Sequence, residues 1–221
     1  IIISANKSFT GDLIVAVYLM TIPAICLILA ASISRNPLAS IGASREMKLV
    51  LAYEVPFVFA LLVPIIKSGG RIVITEIIQY QLTHTPVVFN ISGIIAFVIA
   101  ILCLQSKLAF VPFDISEAEQ EIMSGTLIEY SGFPLAGFKL SRMMMLVVYP
   151  LFLVKLFWYS KNATVFADII TFVLKYLLVL VILILLRNTN PRARIDQAIK
   201  FFWSYGLAIG IIAVVLALAG L

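Results

Sequence analysis

Val165-Phe-Ala-Asp-Ile-Ile-Thr-Phe-Val-Leu-Lys-Tyr-Leu-Leu-Val-Leu-Val-Ile-Leu-Ile-Leu-Leu186 is a run of 22 residues in which only Asp168 and Lys175 carry charge. Coiled into a helix at about 1.5 Å per residue it would rise roughly 33 Å. That is the thickness of a bilayer's hydrocarbon core, about 30 Å. The run shows no strict alternation of apolar and polar residues, so a helix is favoured over a barrel strand. Five further stretches read the same way, and the approximate spans are 13–34, 48–67, 87–105, 138–159, 165–186 and 200–221. Pro23, Pro56, Pro64 and Pro150 fall inside them. Membrane helices tolerate such prolines because neighbouring groups satisfy the freed carbonyls.

The whole chain agrees with its most apolar segment. Its 221 residues are 62% hydrophobic and 12% charged, with a mean hydropathy of +1.12. A soluble domain averages about half apolar and about a quarter charged, so this chain has too few charges to cover a soluble surface. The expected fold is an all-α integral membrane protein, a single polytopic bundle of about six transmembrane helices. A net charge of +5 does not imply nucleic acid, because the basic residues form no dense patch and lie between apolar runs.

Their distribution instead orients the bundle. One face receives Arg35, Arg45, Lys48, Lys107, Lys139, Arg142, Arg187, Arg192, Arg194 and Lys200, and the other Lys7, Lys67, Arg71 and Lys161. Ten against four in short loops places the first face in the cytoplasm by the positive-inside rule. The expected location is the cytoplasmic membrane, with loop 106–137 on its inner side. On the outer side, residues 72–80 fit either a short interfacial helix or an ordinary loop. Gly206-x-x-x-Gly210 has close-packing spacing, but arises easily by chance in an apolar span.

The loop beginning Val111-Pro-Phe-Asp-Ile-Ser-Glu-Ala-Glu-Gln-Glu interrupts this basic face. Asp114, Glu117, Glu119, Glu121 and Glu129 are five of the chain's eleven acids, within 16 residues. Ser116-x-x-Glu119 has the form of a capping box, with Pro112 ahead of it. A helix starting there sets Glu117 and Glu121 one turn apart on one side. Crowded carboxylates repel one another when ionised, and groups so perturbed exchange protons near neutral pH. The plain alternative is a solvated acidic loop. Glu54 adds weight to the functional reading. It lies about 9 Å into the second span at 1.5 Å per residue, where a charge costs about 2.5–3.5 kcal/mol and usually faces a cavity or partner. Lys175, near the middle of the fifth span, meets the same argument, with pairing to a neighbouring subunit's carboxylate as its alternative. Lys155 and Asp168 are near enough to span ends to snorkel. Arg192 and Arg194, in Asn190-Pro-Arg-Ala-Arg-Ile-Asp196, either orient the next span or dock an acidic group.

Several chemistries are excluded by composition. The sole histidine is His84, and the two cysteines, Cys26 and Cys103, stand 77 residues apart. That leaves no paired haem ligands, cysteine cluster, phosphate loop or catalytic triad. No catalytic, metal-ligating or cofactor-binding residue is expected, and electron transfer belongs to partner chains.

Three segments carry a resemblance. Pro112-Phe-Asp-Ile-Ser-Glu-Ala-Glu through Glu129-Tyr-Ser-Gly resembles the PFD-x-x-EAE…EYSG loop of a membrane subunit common to respiratory complex I and the energy-converting membrane-bound [NiFe] hydrogenases. Gly42-Ala-Ser-Arg-Glu-Met-Lys-Leu-Val-Leu-Ala-Tyr-Glu-Val-Pro is similar to its G-x-x-R…YE-x-P segment, and Pro191-Arg-Ala-Arg-Ile-Asp-Gln to its PR-x-R-x-DQ loop. The family typically has eight spans, so these six resemble the last six, and the chain reads as truncated at its amino end. Two departures choose a branch. Complex I members usually carry glutamates where this chain has Lys107 and Arg142, so the quinone-linked version fits less well than the hydrogenase version.

The resemblance implies a non-redox subunit, not catalytic alone, that docks peripheral hydrogenase-like large and small subunits through Arg45, Arg192, Arg194 and Asp196. It also implies antiporter-like membrane partners, with the [NiFe] centre and iron–sulfur clusters held by partner chains. Ferredoxin-driven hydrogen formation would then be coupled to proton or sodium movement through the acidic loop and Glu54. The alternatives are the quinone-site subunit of a complex I-type enzyme and a related sulfur-reducing complex.

Overall fold

The computed structural model describes residues 11–117, 119–123, 125–160 and 165–220, the side chains of 119, 120 and 165 excepted. Among them there are helices and turns and no strand. The long helices are α1 (Asp12–Ile33), α2 (Pro37–Lys67), α4 (Ile91–Lys107), α6 (Gly132–Phe157) and α7 (Val165–Thr189). Shorter ones are α3 (Ile74–Thr83), α5 (Glu119–Ile122) and α8 (Ile195–Lys200), which continues through a π-helical turn, Phe201–Gly206, into α9 (Leu207–Leu218). The expected polytopic bundle is what forms. Five of the described helices are long and apolar enough to cross a bilayer, counting Ile195–Leu218 as one. The third expected span, 87–105, is the exception. Asn90 and a single 3₁₀ turn at Val87–Phe89 precede its helix, so α4 has 17 residues.

The second span differs at its other end. Asn36 caps α2 by accepting from the Leu38 amide at 2.9 Å, with Pro37 in the first turn. The helix therefore begins eleven residues before the apolar run, reaches 31 residues, and carries Pro56 and Pro64 inside it. At about 1.5 Å per residue this is roughly 46 Å, so α2 projects well beyond the hydrocarbon. It is also the centre of the bundle, packed against α1, α4 and α9. Gly206 and Gly210 allow the last of these contacts. A Cβ on Gly206 would lie 3.3 Å from the Pro56 ring, and one on Gly210 3.1 Å from Phe59 Cβ.

Residues 72–80, open between loop and helix in the sequence, form α3. Its Ile77 and Gln81 are buried. Gln81 donates to the Leu156 carbonyl at 2.8 Å and accepts from the Tyr159 amide at 3.0 Å. Helix α3 is thereby fastened to the last turn of α6. Lys175 serves the same region. Its ammonium donates to the Trp158 carbonyl at 3.0 Å and to Ser160, tying α7 to the carbonyl end of α6, where cations are favoured. Lys7 and Lys161 lie outside the described residues.

Candidate functional site

The end of the bundle opposite α3 carries the turns α1–α2, α4–α6 and α7–α8, which meet there. The acidic loop is part of the packing. Phe113, Ile115 and Ser116 are buried, and the Phe113 ring packs against Phe202 with centroids 4.8 Å apart. The Pro112 carbonyl accepts from the Ala193 amide at 2.9 Å, and the Tyr130 hydroxyl donates to the Ala30 carbonyl at 2.8 Å. Gly42 and Gly125 make the approach to α2 possible. A Cβ on Gly42 would fall 2.8 Å from the Thr126 nitrogen, and Gly125 has φ +45° with no room above it. A helix-length stretch does not form. Helix α5 is only Glu119–Ile122, and Glu117 lies in the turn before it.

That local geometry sets three of the expected row of carboxylates, Asp114, Glu117 and Glu121, against cations. Asp114 meets Arg192 at 3.0 Å and Glu121 meets Arg45 at 2.6 Å. Glu117 is held bidentately by the Arg142 guanidinium, with Nη1–Oε2 at 2.8 Å. Glu129 accepts from the Asn36 amide at 2.7 Å. The Glu119 side chain lies outside the described residues. Arg45, Arg192, Arg194 and Asp196 come together with Asp114 and Glu121 around one cleft of about 310 Å³.

Glu54, expected as an intramembrane carboxylate in search of a partner, has one. Lys107 Nζ stands 2.8 Å from Glu54 Oε2, with the Lys107 side chain 1% exposed and that of Glu54 25%. The same ammonium lies 4.6 Å from the Phe57 ring centroid and 5.3 Å from that of Tyr53. In the sequence, Lys107 and Arg142 stand out only as departures from a family pattern. Their roles as partners of Glu54 and Glu117 depend on contacts across 53 and 25 residues of chain.

Sequence reasoning misses Glu46 altogether. It is 5% exposed, on the face of α2 that Gly42 presents to the loop. It lies beside the Ser116 hydroxyl, within the electrostatic reach of Glu117, Arg142 and Asp114. Yet Glu46 Oε2, Ser116 Oγ and Thr126 Oγ1 are all buried with no hydrogen-bond partner among the described residues. A signal exists: Glu46 continues the Gly42 stripe at helical spacing.

A family model for NADH dehydrogenase matches residues 2–218. The chain belongs to that family. A subunit of the NADH-quinone oxidoreductase of Geobacillus thermodenitrificans (strain NG80-2) is 30% identical over 187 residues, covering 83% of this chain and 55% of the relative. The corresponding subunit of Geobacillus sp. (strain WCH70) is 33% identical over 174 residues, covering 77% and 51%. The chain thus spans about half the length of these curated relatives. Among solved structures, a chain of the membrane-bound sulfane sulfur reductase, an archaeal respiratory membrane complex, superposes with a TM-score of 0.86 at 29% identity. That match covers 95% of this chain and 70% of the other. This member of the NADH dehydrogenase family is therefore a multi-pass membrane chain similar to subunits of complex I-like assemblies.

Proposed function

We propose that this chain is the non-redox membrane subunit of an energy-converting complex, one that docks a peripheral electron-transfer arm and couples its chemistry to ion movement. The observation that carries the reading is the acidic-loop end. A cleft lined by Arg45, Glu121, Asp114, Arg192 and Asp196 lies at the same end of the molecule as the buried Glu54–Lys107 pair. Charges of both signs around a cleft suit a protein partner with complementary polar groups. A charge arriving near the acidic loop would act on these pairs through protein instead of through solvent, where it would be screened.

The proposal places this end in the cytoplasm, on the ten-to-four distribution of basic residues. It assigns the complex to the hydrogenase branch, with a [NiFe] centre and iron–sulfur clusters in partner chains, because Lys107 and Arg142 occupy positions where complex I members usually have glutamates. Ferredoxin-driven hydrogen formation would then drive proton or sodium translocation. A second reading, a sulfur-reducing complex, is favoured by the similarity to the sulfane sulfur reductase chain. Co-purification followed by metal analysis separates them: nickel with iron selects the hydrogenase, and iron without nickel selects a relative. The coupling role is tested by Glu54→Gln and Glu121→Gln in the assembled complex. Full ferredoxin-driven ion translocation in both variants would overturn it.

A further inference from the structure

Buried polar atoms in folded proteins nearly always have partners. Three oxygens that have none among the described residues gather where α2 meets the acidic loop: Glu46 Oε2, Ser116 Oγ and Thr126 Oγ1. They come from three separate segments, brought together because Gly42 lets the backbone at Ser116 and Thr126 lie directly on α2. Glu46 is one helical turn beyond Gly42, and its carboxyl lies beside the Ser116 hydroxyl.

The surrounding charges are matched pair by pair. Glu117 is held by Arg142 of α6, Asp114 by Arg192 of the α7–α8 turn, and Glu121 by Arg45. Glu46 is 5% exposed and forms no ion pair among the described residues. A carboxylate enclosed in this way is costly unless a positive charge meets it. The donors on offer are all oxygens, one carboxylate and two hydroxyls, and oxygen ligands suit a hard cation. A divalent ion is a poor match. Calcium takes about six to eight oxygens, and one carboxylate would leave a buried excess of positive charge. Space narrows the choice further. The Ser116 carbonyl comes so close to Gly42 and Gly125 that neither position has room for a Cβ. A loop held this tightly against α2 encloses space for a small ion.

We propose that Glu46, Ser116 and Thr126 bind a sodium ion that fastens the acidic loop to α2. The Glu46 carboxylate balances the ion's charge. The two hydroxyls supply neutral oxygens from either end of the loop, and backbone carbonyls or water complete the shell. Sodium occupancy then sets how firmly Ser116 and Thr126 sit on the bundle. The inference goes beyond the coupling function proposed above and does not depend on it, because the ion here is a fixed ligand and not the ion translocated.

The experiment exchanges the assembled complex into choline chloride and titrates it with sodium chloride at constant ionic strength. Thermal unfolding and the rate of proteolysis within the acidic loop are read beside equilibrium dialysis against radioactive sodium. The wild type is compared with Glu46→Gln and with the double variant Ser116→Ala/Thr126→Val. Sodium is expected to raise the melting temperature of the wild type and to slow cleavage of its loop, and potassium to do so far less. Glu46→Gln is expected to bind one sodium fewer per complex and to lose both responses. The double variant is expected to bind that sodium at least roughly tenfold more weakly, a loss that even outer-shell partners of a metal cause. A wild type that matches Glu46→Gln in sodium stoichiometry, melting and cleavage would overturn the site, and so would equal protection by potassium. Should Glu46→Gln fail to assemble, the double variant decides: undiminished sodium affinity there sinks the proposal.

Discussion

Lys107 brings an ammonium to within 2.8 Å of Glu54 at a place where its side chain is 1% exposed. Removing one member of a buried pair leaves an uncompensated charge and costs about 3–5 kcal/mol when burial is complete. Because Glu54 keeps a quarter of its surface, Lys107→Met is expected to destabilise by about 2–3 kcal/mol. Adding Glu54→Gln should recover most of that loss in a double-mutant cycle read by thermal unfolding of the purified complex. The Arg45–Glu121 pair behaves differently: its side chains are 25% and 59% exposed, and such pairs contribute about 0–1 kcal/mol. Glu121→Gln should leave the melting temperature nearly unchanged, so a large drop there would refute the exposed-pair description. The two glutamates look alike in the sequence. Glu54 can be picked out because it interrupts an apolar run, but its partner cannot, since Lys107 lies 53 residues away. Glu46 is hidden for a related reason: a carboxylate beside Arg45 and Lys48 reads as one of a charged group, and only tertiary packing reveals that it is enclosed.

At the level of elements, α2 and the acidic loop fit together through the absence of a side chain at residue 42. Gly42→Ala places a methyl group 2.8 Å from the Thr126 nitrogen, and backbone cannot yield as a flexible side chain would. Overpacking of this kind costs about 1–3 kcal/mol. The expected outcome is a lower melting temperature together with increased proteolysis of the loop, measured on the same preparation. Helices themselves are easy to read, because a long unbroken apolar run leaves few alternatives, and Pro23, Pro56, Pro64 and Pro150 do sit inside α1, α2 and α6. Their ends are harder. Helix α2 starts at Pro37 because Asn36 caps it, a local signal masked by the polar residues that follow. Gly206-x-x-x-Gly210 shows the converse: a spacing too common to trust in sequence does pack α9 against Pro56 and Phe59. Ser116 packs its backbone onto α2 at Gly42, while the Glu119 side chain of the expected capping box lies outside the described residues.

For the whole molecule, the decisive expectation concerns sidedness. A cysteine introduced at Glu121 should react with an impermeant maleimide only in inside-out vesicles, and labelling from the outer surface would reverse the proposed orientation. Helix α4 then has a wider effect. Its 17 residues rise about 25 Å, less than the roughly 30 Å that lipid tails occupy. The missing length lies on the α3 side, where Asn90 and a 3₁₀ turn at Val87–Phe89 stand in place of helix and bring polar backbone groups with them. A transmembrane voltage therefore falls over a thinner insulating layer at this point than elsewhere in the bundle. Moving one elementary charge through 100 mV is worth about 2.3 kcal/mol. If the proposed coupling role holds, a shortened helix with Lys107 at its other tip sets the Glu54 pair against the voltage that ion movement would build up.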